Sequence, residues 1–216
     1  MTRFWQAVVG ADRKWVIGII SEITNSQVKY SGVPTFKYEA GGWCIDKENG
    51  LFSPSFNAEN ALEIKEVLTA LENAGLQTEG DLVIGLSSEG VDEEYEKKLN
   101  SLIEKRSAMI SKSFDHPIDS LNISTQNGEC VFKMFNATLE YEKVHAYSVF
   151  VEKLDALARK LKYCSVKEKQ VENEKYAFRC FLLRLGFIGD EYKGPRKVLL
   201  KNLEGNSSFK SLEARE

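Results

Sequence analysis

The sequence predicts a mixed α+β protein in which two βαββα units, with shared or abutting antiparallel-rich sheets, precede a C-terminal helical hairpin. Three observations lead to this class. Strand-like alternation and helical spacing of apolar residues follow one another twice, an Asn-Gly turn signal follows a predicted strand in each half, and a Gly-containing break divides the last helical segment. We place the two units at residues 1–76 and 77–163 and the hairpin at residues 164–216.

The first unit begins with an alternating, aromatic-containing strand from Thr2 to Val9, after which Asp12 is a suitable N-cap for a helix. The apolar face of that helix consists of Trp15, Val16, Ile19, Ile20 and Ile23. Residues 28–38 and 43–46 are predicted strands, and Asn49-Gly50 is a turn because both residues tolerate positive φ.

A second helix closes this unit. Asn57 is its predicted N-cap and Gly75 its terminating residue. The core face of the helix consists of Ile64, Val67, Leu68 and Leu71.

The second unit repeats this order. A short apolar strand at 82–86 precedes a helix opened by Asp92, and a hairpin follows around Asn127-Gly128. The first helix has an apolar side formed by Tyr95, Leu99, Leu102, Ile103 and Met109. A long amphipathic helix then carries Val144, Tyr147, Val151, Leu154, Ala158 and Leu161 at spacings of three and four.

The remaining chain is predicted to be helical. Gly186-Phe187-Ile188-Gly189 divides it into two segments, and the second starts near Asp190 or at Pro195 and runs to Leu203. Two helices joined by a short glycine-containing turn form an αα-hairpin.

Charge is unevenly distributed along the chain. Residues 159–210 contain 13 basic and 6 acidic side chains, whereas residues 1–158 contain 15 basic and 24 acidic ones. Such an asymmetry indicates either a nucleic-acid-facing end or two ends that neutralise each other in the fold.

Six cations in the basic segment are candidate nucleic-acid-binding residues: Lys175, Arg179, Lys193, Arg196, Lys197 and Lys201. Lys193, Lys197 and Lys201 recur every four residues, which places them on one helical face. We expect Pro195 in the first turn of the last helix with Gly194 as N-cap, so that Lys193 lies in the approach to the helix. The alternative is a solvated face or a set of ion pairs to the acidic part.

No catalytic, cofactor or metal motif is recognisable. The stretch 85–90 follows a strand and precedes a helix, but it lacks the lysine and glycine spacing of a phosphate-binding loop. Cys180 could pair with His116 or His145, but a buried small residue in an apolar helix is the favoured interpretation. We therefore predict a protein that is not an enzyme and has no cofactor.

Composition also restricts the class of protein. The four cysteines lack metal-site spacing and are expected to be buried thiols, and no signal peptide or membrane-spanning run is found. We expect a cytoplasmic protein with no membrane partner; the oligomeric state stays open.

Two stretches resemble a known family. Val33-Pro34-Thr35-Phe36-Lys37-Tyr38-Glu39, with Gly42 and Ile45-Asp46-Lys47, is similar to its N-terminal signature, and residues 173–193 with 205–210 are similar to its C-terminal signature. This is the uncharacterised "virulence-related" family of bacterial prophages and integrative mobile elements. The resemblance implies no mechanism and no catalytic residues.

The sequence thus favours a non-enzymatic accessory or regulatory protein of a mobile element that binds nucleic acid through its C-terminal helices. The alternative is a protein–protein interaction factor that binds or inhibits a host protein.

Overall fold

A computed structural model describes residues 2–8, 10–76, 81–115, 122–126, 129–136, 140–162 and 172–208. The α+β class and the C-terminal helical region are both confirmed. The chain forms two compact units. One contains Met1–Ile84 and Phe135–Tyr141, and the other contains Gly85–Met134 and Glu142–Glu216.

The first unit contains a six-stranded antiparallel sheet and two helices. Its strands are β1 (Thr2–Ala7), β2 (Lys29–Tyr30), β3 (Tyr38–Ala40), β4 (Trp43–Ile45), β5 (Gly50–Phe52) and β6 (Asp81–Ser87), which continues into the second unit. Their order is β2-β3-β4-β5-β1-β6, and each neighbouring pair is antiparallel. The helices are α1 (Arg13–Ile23) and α2 (Ala61–Asn73).

Helices α1 and α2 bury their apolar faces with one face of this sheet. The fully or nearly buried side chains include Phe4, Val8, Val16, Ile17, Ile20, Trp43, Ile45, Leu51, Ile64, Val67 and Leu71. Buried and less buried residues alternate along β1 and β4, as a sheet with one covered face requires.

Local sequence signals explain where these helices begin and end. The Asp12 carboxylate accepts a hydrogen bond from the Lys14 N–H at 2.8 Å, which confirms the predicted cap. Gly75 has a φ of +87° and ends α2 as predicted. The prediction for Asn57 is wrong: its amide oxygen accepts from the N–H groups of Glu59 and Asn60, so it forms a turn ahead of α2.

The region between α1 and α2 contains four short strands rather than two longer ones. A loop interrupts the predicted strand 28–38, where Gly32 has positive φ and Pro34 supplies no backbone donor. The predicted Asn-Gly turn is confirmed, with Asn49 at a φ of +65° and the Asp46 carboxylate accepting from Gly50 N–H at 2.8 Å.

The second unit is mostly helical. It contains α3 (Glu93–Glu104), α4 (Ser107–Phe114), α5 (Tyr141–Lys160, with Tyr141 in the first unit), α6 (Glu174–Leu185) and α7 (Lys193–Leu200). Strands β7 (Asn122–Gln126) and β8 (Glu129–Asn136) form the predicted antiparallel hairpin, whose Asn127-Gly128 turn lies outside the described residues.

Aromatic side chains form the centre of this helical unit. Phe150 of α5 lies 5.1 Å from Phe114 of α4 and 6.3 Å from both Phe178 and Phe181 of α6, measured between ring centroids. All four rings are buried, and edge-to-face or stacked arrangements at these distances are favourable. The aromatic residues of α6 are therefore part of the main core of this unit.

The helix predicted after Asp92 is two helices. Its Asp92 cap is confirmed, since the carboxylate accepts from Tyr95 N–H at 2.7 Å, but the chain turns at Lys105 and Arg106. The Arg106 guanidinium lies 4.1 Å from the centre of the Phe181 ring, a cation–π contact that spacing along the sequence does not reveal.

The structure has more elements than the sequence predicted, since four strands replace two between α1 and α2, and α3 and α4 replace one helix. The proposed duplication at residues 1–76 and 77–163 stays a prediction.

No helix in the described parts of the chain is long and apolar enough to cross a membrane.

Candidate nucleic-acid interface

Helices α6 and α7 carry five of the six candidate binding residues, and the sixth, Lys201, directly follows α7. The Asn173 amide oxygen caps α6 by accepting from Tyr176 N–H at 3.1 Å. Gly186, with a φ of +94°, ends this helix, and Phe187 N–H donates back to the Leu182 carbonyl at 3.0 Å. The chain then reverses into α7.

Helix α7 begins between the two starting points that the sequence left open, Asp190 and Pro195. Tyr192 is its N-cap residue and Lys193 its first residue, so Gly194 lies within the first turn instead of capping the helix. Pro195 is the third helical residue, where the backbone N–H has no intrahelical acceptor, and the proline therefore removes no helical hydrogen bond.

This start places all three predicted lysines on or next to one helix. Lys193 and Lys197 are helical, and Lys201 is the C-cap residue with helical backbone angles. The buried residues of α7 are Pro195 and Leu199, whereas the three lysines are exposed. At 100° per residue the lysines centre on the side opposite the buried pair. We call Lys193, Lys197 and Lys201 the lysine stripe.

Hydrogen bonds fix α7 to the rest of the second unit. The buried Ser113 hydroxyl of α4 donates to the Leu199 carbonyl at 2.6 Å. Lys175 N–H, at the start of α6, donates to the Glu204 carbonyl at 3.0 Å, so the chain following α7 lies beside the beginning of α6. The lysine stripe is thus held on a packed helix.

A further contact links α4 to α6. The Lys112 ammonium lies 2.7 Å from the Glu174 carboxylate, which also raises the pKa of that lysine. Both ends of the α6–α7 pair are therefore connected to α4.

Arg196 has a different environment from the stripe lysines. Its guanidinium donates to the Phe187 carbonyl at 2.6 Å and to the Gly189 carbonyl at 3.1 Å, which closes the turn between α6 and α7. Arg196 was predicted to bind phosphate with the stripe lysines, but its guanidinium binds backbone carbonyls of the protein itself.

The remaining candidates are less accessible. Lys175 and Arg179 are half-buried on α6, one helical turn apart. Lys193 forms an exposed ion pair with Asp190 at 2.9 Å. For Lys197 and Lys201, no carboxylate lies within ion-pair distance among the residues that the structure describes.

The net charge of the C-terminal region says less about anion binding than the positions of its lysines do. Residues 172–208 contain seven basic and five acidic side chains, so this region has a net charge of only +2. Any anion-binding property of α7 must therefore come from the placement of its lysines on one exposed face.

Cys180 is exposed on α6, so the prediction of a buried thiol is wrong for this residue. It lies away from Phe178 and Phe181, which form the buried face of the same helix. Cys44 is half-buried, and burial raises the pKa of its thiol. Cys164 and His116 lie outside the described residues. Cys130 lies in β8, but its side chain is not described.

The Ser87–Gly90 loop after β6 is held by one arginine. The Arg159 guanidinium donates to the Ser87 carbonyl at 3.0 Å and to the Glu89 carbonyl, and it pairs with Asp155 at 2.9 Å. It also lies over the Tyr95 ring, whose hydroxyl donates to the same Asp155 carboxylate. These contacts stabilise the turn that connects β6 to α3.

Metal-ligating side chains are not clustered in the described regions, where no three His, Cys, Asp or Glu residues could hold an ion together. Comparisons with family models, curated proteins and solved structures returned no match for this chain.

The anchoring role of Ser113 was not predictable from the sequence. A serine in the fourth helix gives no local indication that its hydroxyl meets a carbonyl 86 residues later. The role of Arg196 was missed for a related reason, because its acceptors depend on the path of the turn.

Proposed function

We propose that this chain is a non-enzymatic accessory or regulatory protein of a mobile genetic element, located in the cytoplasm, that binds nucleic acid through the lysine stripe of α7. The mobile-element context rests on the resemblance of residues 33–47 and 173–210 to the "virulence-related" family. The binding activity rests on the structure of α7.

The observation that supports the proposal most is the common exposed face of Lys193, Lys197 and Lys201. Eight residues of helix rise about 12 Å, which corresponds to about three to four nucleotides along one strand of a duplex. A cationic row of this length fits successive phosphates and requires no particular base sequence.

The ion pair between Lys193 and Asp190 does not prevent this role. Both side chains are largely exposed, and exposed ion pairs contribute about 0–1 kcal/mol. A phosphate can therefore replace the Asp190 carboxylate at little cost. Lys175 and Arg179 are secondary contacts in this proposal, because their half-buried side chains must extend to reach a ligand.

The test is fluorescence anisotropy with labelled duplex and single-stranded oligonucleotides at several salt concentrations. Three phosphate contacts predict a log–log salt slope of about −2.7 on duplex DNA. Replacing the three stripe lysines by Gln should remove this contribution of about 2.7 from the slope. If the unaltered protein binds neither oligonucleotide at low salt, the proposal is wrong.

A matched control separates placement of charge from net charge. Lys14, Lys47 and Lys65 are exposed residues of the first unit, and changing them to Gln removes the same total charge. This control variant should keep the slope of the unaltered protein. An equal loss of binding in both variants would show that the lysine stripe has no special role.

The alternative, a protein–protein interaction factor, is favoured by the loop at residues 31–37. Val33 is 78 % exposed and Phe36 is 39 % exposed. Phe36 also has a φ of +48°, a left-handed conformation that costs a bulky residue free energy of order 1–3 kcal/mol. An exposed aromatic residue kept in this conformation suggests a contact with another molecule.

Hydrogen bonds hold the loop in this shape. Phe36 N–H donates to the Gly32 carbonyl at 2.6 Å, Ser31 N–H donates to the Lys37 carbonyl at 3.0 Å, and the Arg13 guanidinium donates to the Phe36 carbonyl at 3.1 Å. Such preorganisation lowers the entropy cost of binding.

A pull-down from host cells, with and without nuclease, distinguishes the two functions. The alternative is supported if a partner protein is still captured after nuclease treatment, is captured by the stripe variant, and is no longer captured by the variant with Val33→Ser and Phe36→Ser. Capture that disappears with nuclease and with the stripe variant supports nucleic-acid binding.

A further inference from the structure

Tyr176 of α6 differs from the other tyrosines that the structure describes. Each of the others packs against another ring, lies beside a cation or donates a hydrogen bond through its hydroxyl. Among the described residues the Tyr176 side chain forms none of these contacts, although it is half-exposed. Its ring and its hydroxyl are therefore available to a ligand.

Tyr176 lies on the outer side of α6, next to two cations. The buried residues of this helix are Phe178, Phe181, Leu182 and Leu185. At 100° per residue, Tyr176 lies about 170° away from the centre of that buried side. Lys175 precedes it, and Arg179, three positions later, is its neighbour on the helix surface. An aromatic side chain and two cations thus share the first turns of α6.

This end of α6 lies close to the end of the lysine stripe. The Lys175 N–H donates to the Glu204 carbonyl at 3.0 Å, and Glu204 is three residues after Lys201. Three residues span at most about 11 Å, so the backbones of Tyr176 and Lys201 lie within about 20 Å of each other. The stripe itself adds about 12 Å. At a spacing of about 3.4 Å per nucleotide, a single strand of about ten nucleotides therefore reaches from Lys193 to Tyr176.

We propose that Tyr176 is a base-stacking residue, and that the nucleic acid bound by the lysine stripe is single-stranded. This inference rests on the proposed function, because the stripe supplies the main phosphate contacts. One unpaired base stacks on the Tyr176 ring, while Lys175 and Arg179 bind the phosphates that flank it. The two half-buried cations of α6 thereby belong to a site with a defined ligand.

The aromatic ring distinguishes a single strand from a duplex. Base faces in a duplex are covered by the neighbouring base pairs, so a side chain on a helix surface meets phosphates and base edges there. An unpaired base exposes a face on which an aromatic side chain can stack, whichever base it is. Proteins that bind single strands without sequence preference combine such rings with a cationic surface that follows the backbone. Tyr176 and the lysine stripe provide these two parts.

The charge of α6 agrees with an anionic ligand. The helix has three basic side chains, Lys175, Arg179 and Arg184, and one acidic side chain, Glu174. The Glu174 carboxylate lies 2.7 Å from the Lys112 ammonium of α4, so its charge is compensated within the protein. The outer side of α6 is therefore cationic.

Fluorescence anisotropy of the full chain tests this inference, with a labelled single strand of about twelve nucleotides and the duplex of the same sequence. The single strand should bind more tightly than the duplex. Tyr176→Ala should weaken binding of the single strand about fivefold or more, and should leave the salt slope and the binding of the duplex unchanged. Tyr176→Phe retains the ring and should bind the single strand as the unaltered protein does.

A matched control and a direct readout complete the test. Tyr30 is 54 % exposed and lies in β2, at the edge of the sheet of the first unit, so Tyr30→Ala should bind the single strand as the unaltered protein does. Photo-crosslinking with a single strand that contains iododeoxyuridine should give a cross-linked peptide that includes Tyr176.

The outcomes separate this inference from the proposed function. The inference alone is overturned by equal binding of single strand and duplex, by an unchanged affinity of Tyr176→Ala for the single strand, by equal weakening on both ligands, or by a cross-link that excludes Tyr176. In each of these cases the stripe variant would still reduce the salt slope. A protein that binds neither ligand at low salt overturns the inference and the proposed function together.

Discussion

Arg196 and Lys197 are neighbours in sequence that we expect to have opposite roles. Arg196 donates two hydrogen bonds to carbonyls of the turn between α6 and α7, whereas Lys197 is exposed on the lysine stripe. Replacing each residue by Gln should therefore change two different properties. Arg196→Gln should lower stability and leave the salt slope of binding unchanged, and Lys197→Gln should do the reverse.

The magnitude for Arg196 follows from its two contacts. Hydrogen bonds that involve a charged group contribute about 1.5–3 kcal/mol each. One of the two bonds is partly buried and the other is exposed, so the loss should be about 2 kcal/mol in total. For a chain of 216 residues this corresponds to a decrease in Tm of about 4–8 °C.

The assay pairs thermal unfolding, followed by circular dichroism, with the anisotropy titrations. Lys197→Gln should change the free energy of unfolding by less than about 0.5 kcal/mol and reduce the salt slope by about 0.9. If Arg196→Gln leaves Tm unchanged and reduces the salt slope instead, then Arg196 binds phosphate and its hydrogen bonds to the turn do not stabilise the fold.

Two further predictions concern side chains away from the lysine stripe. Gln6 is 5 % exposed and its amide oxygen lacks a hydrogen-bond partner among the described residues, so Gln6→Leu should raise the free energy of unfolding by about 1 kcal/mol. The exposed Gln27→Leu should change it little, and a destabilised Gln6→Leu protein in chemical denaturation would contradict the prediction. Cys180 should react with a thiol reagent faster than Cys44, because Cys180 is exposed and burial raises the pKa of the Cys44 thiol. Mass-spectrometric mapping of the labelled peptides measures this difference, and faster labelling of Cys44 would refute it.

Helix ends were predictable from the sequence where the determining interaction is local. The Asp12 and Asp92 caps each act within three residues, and Gly75 and Gly186 end their helices because of their own backbone conformation. The α+β class followed from these signals together with apolar spacing.

Features that depend on distant contacts were not predictable. The break between α3 and α4 coincides with the contact of Arg106 with Phe181, which lies 75 positions later in the chain. The edge position of Tyr30 follows from the order of strands in the sheet, which no local pattern specifies.

The candidate site was predictable in part. The four-residue spacing of the lysines gave their common face, but the sequence suggested that Pro195 would separate Lys193 from the helix. The exposure of Cys180 could have been recognised, since the helical positions of Phe178, Phe181 and Leu185 already define a buried face that excludes it.

The hydrogen bond from the Ser113 hydroxyl to the Leu199 carbonyl makes the common orientation of the stripe lysines depend on the folded state. A helix of eight residues is too short to persist by itself in water, so α7 depends on its contacts with α4 and α6. In the unfolded or truncated chain the three lysines lose their common orientation and become ordinary charges on a flexible segment. If α7 binds nucleic acid as we propose, that partner would distinguish folded molecules from incomplete ones, and binding would report on the folding of α4, which lies far from α7 in the sequence.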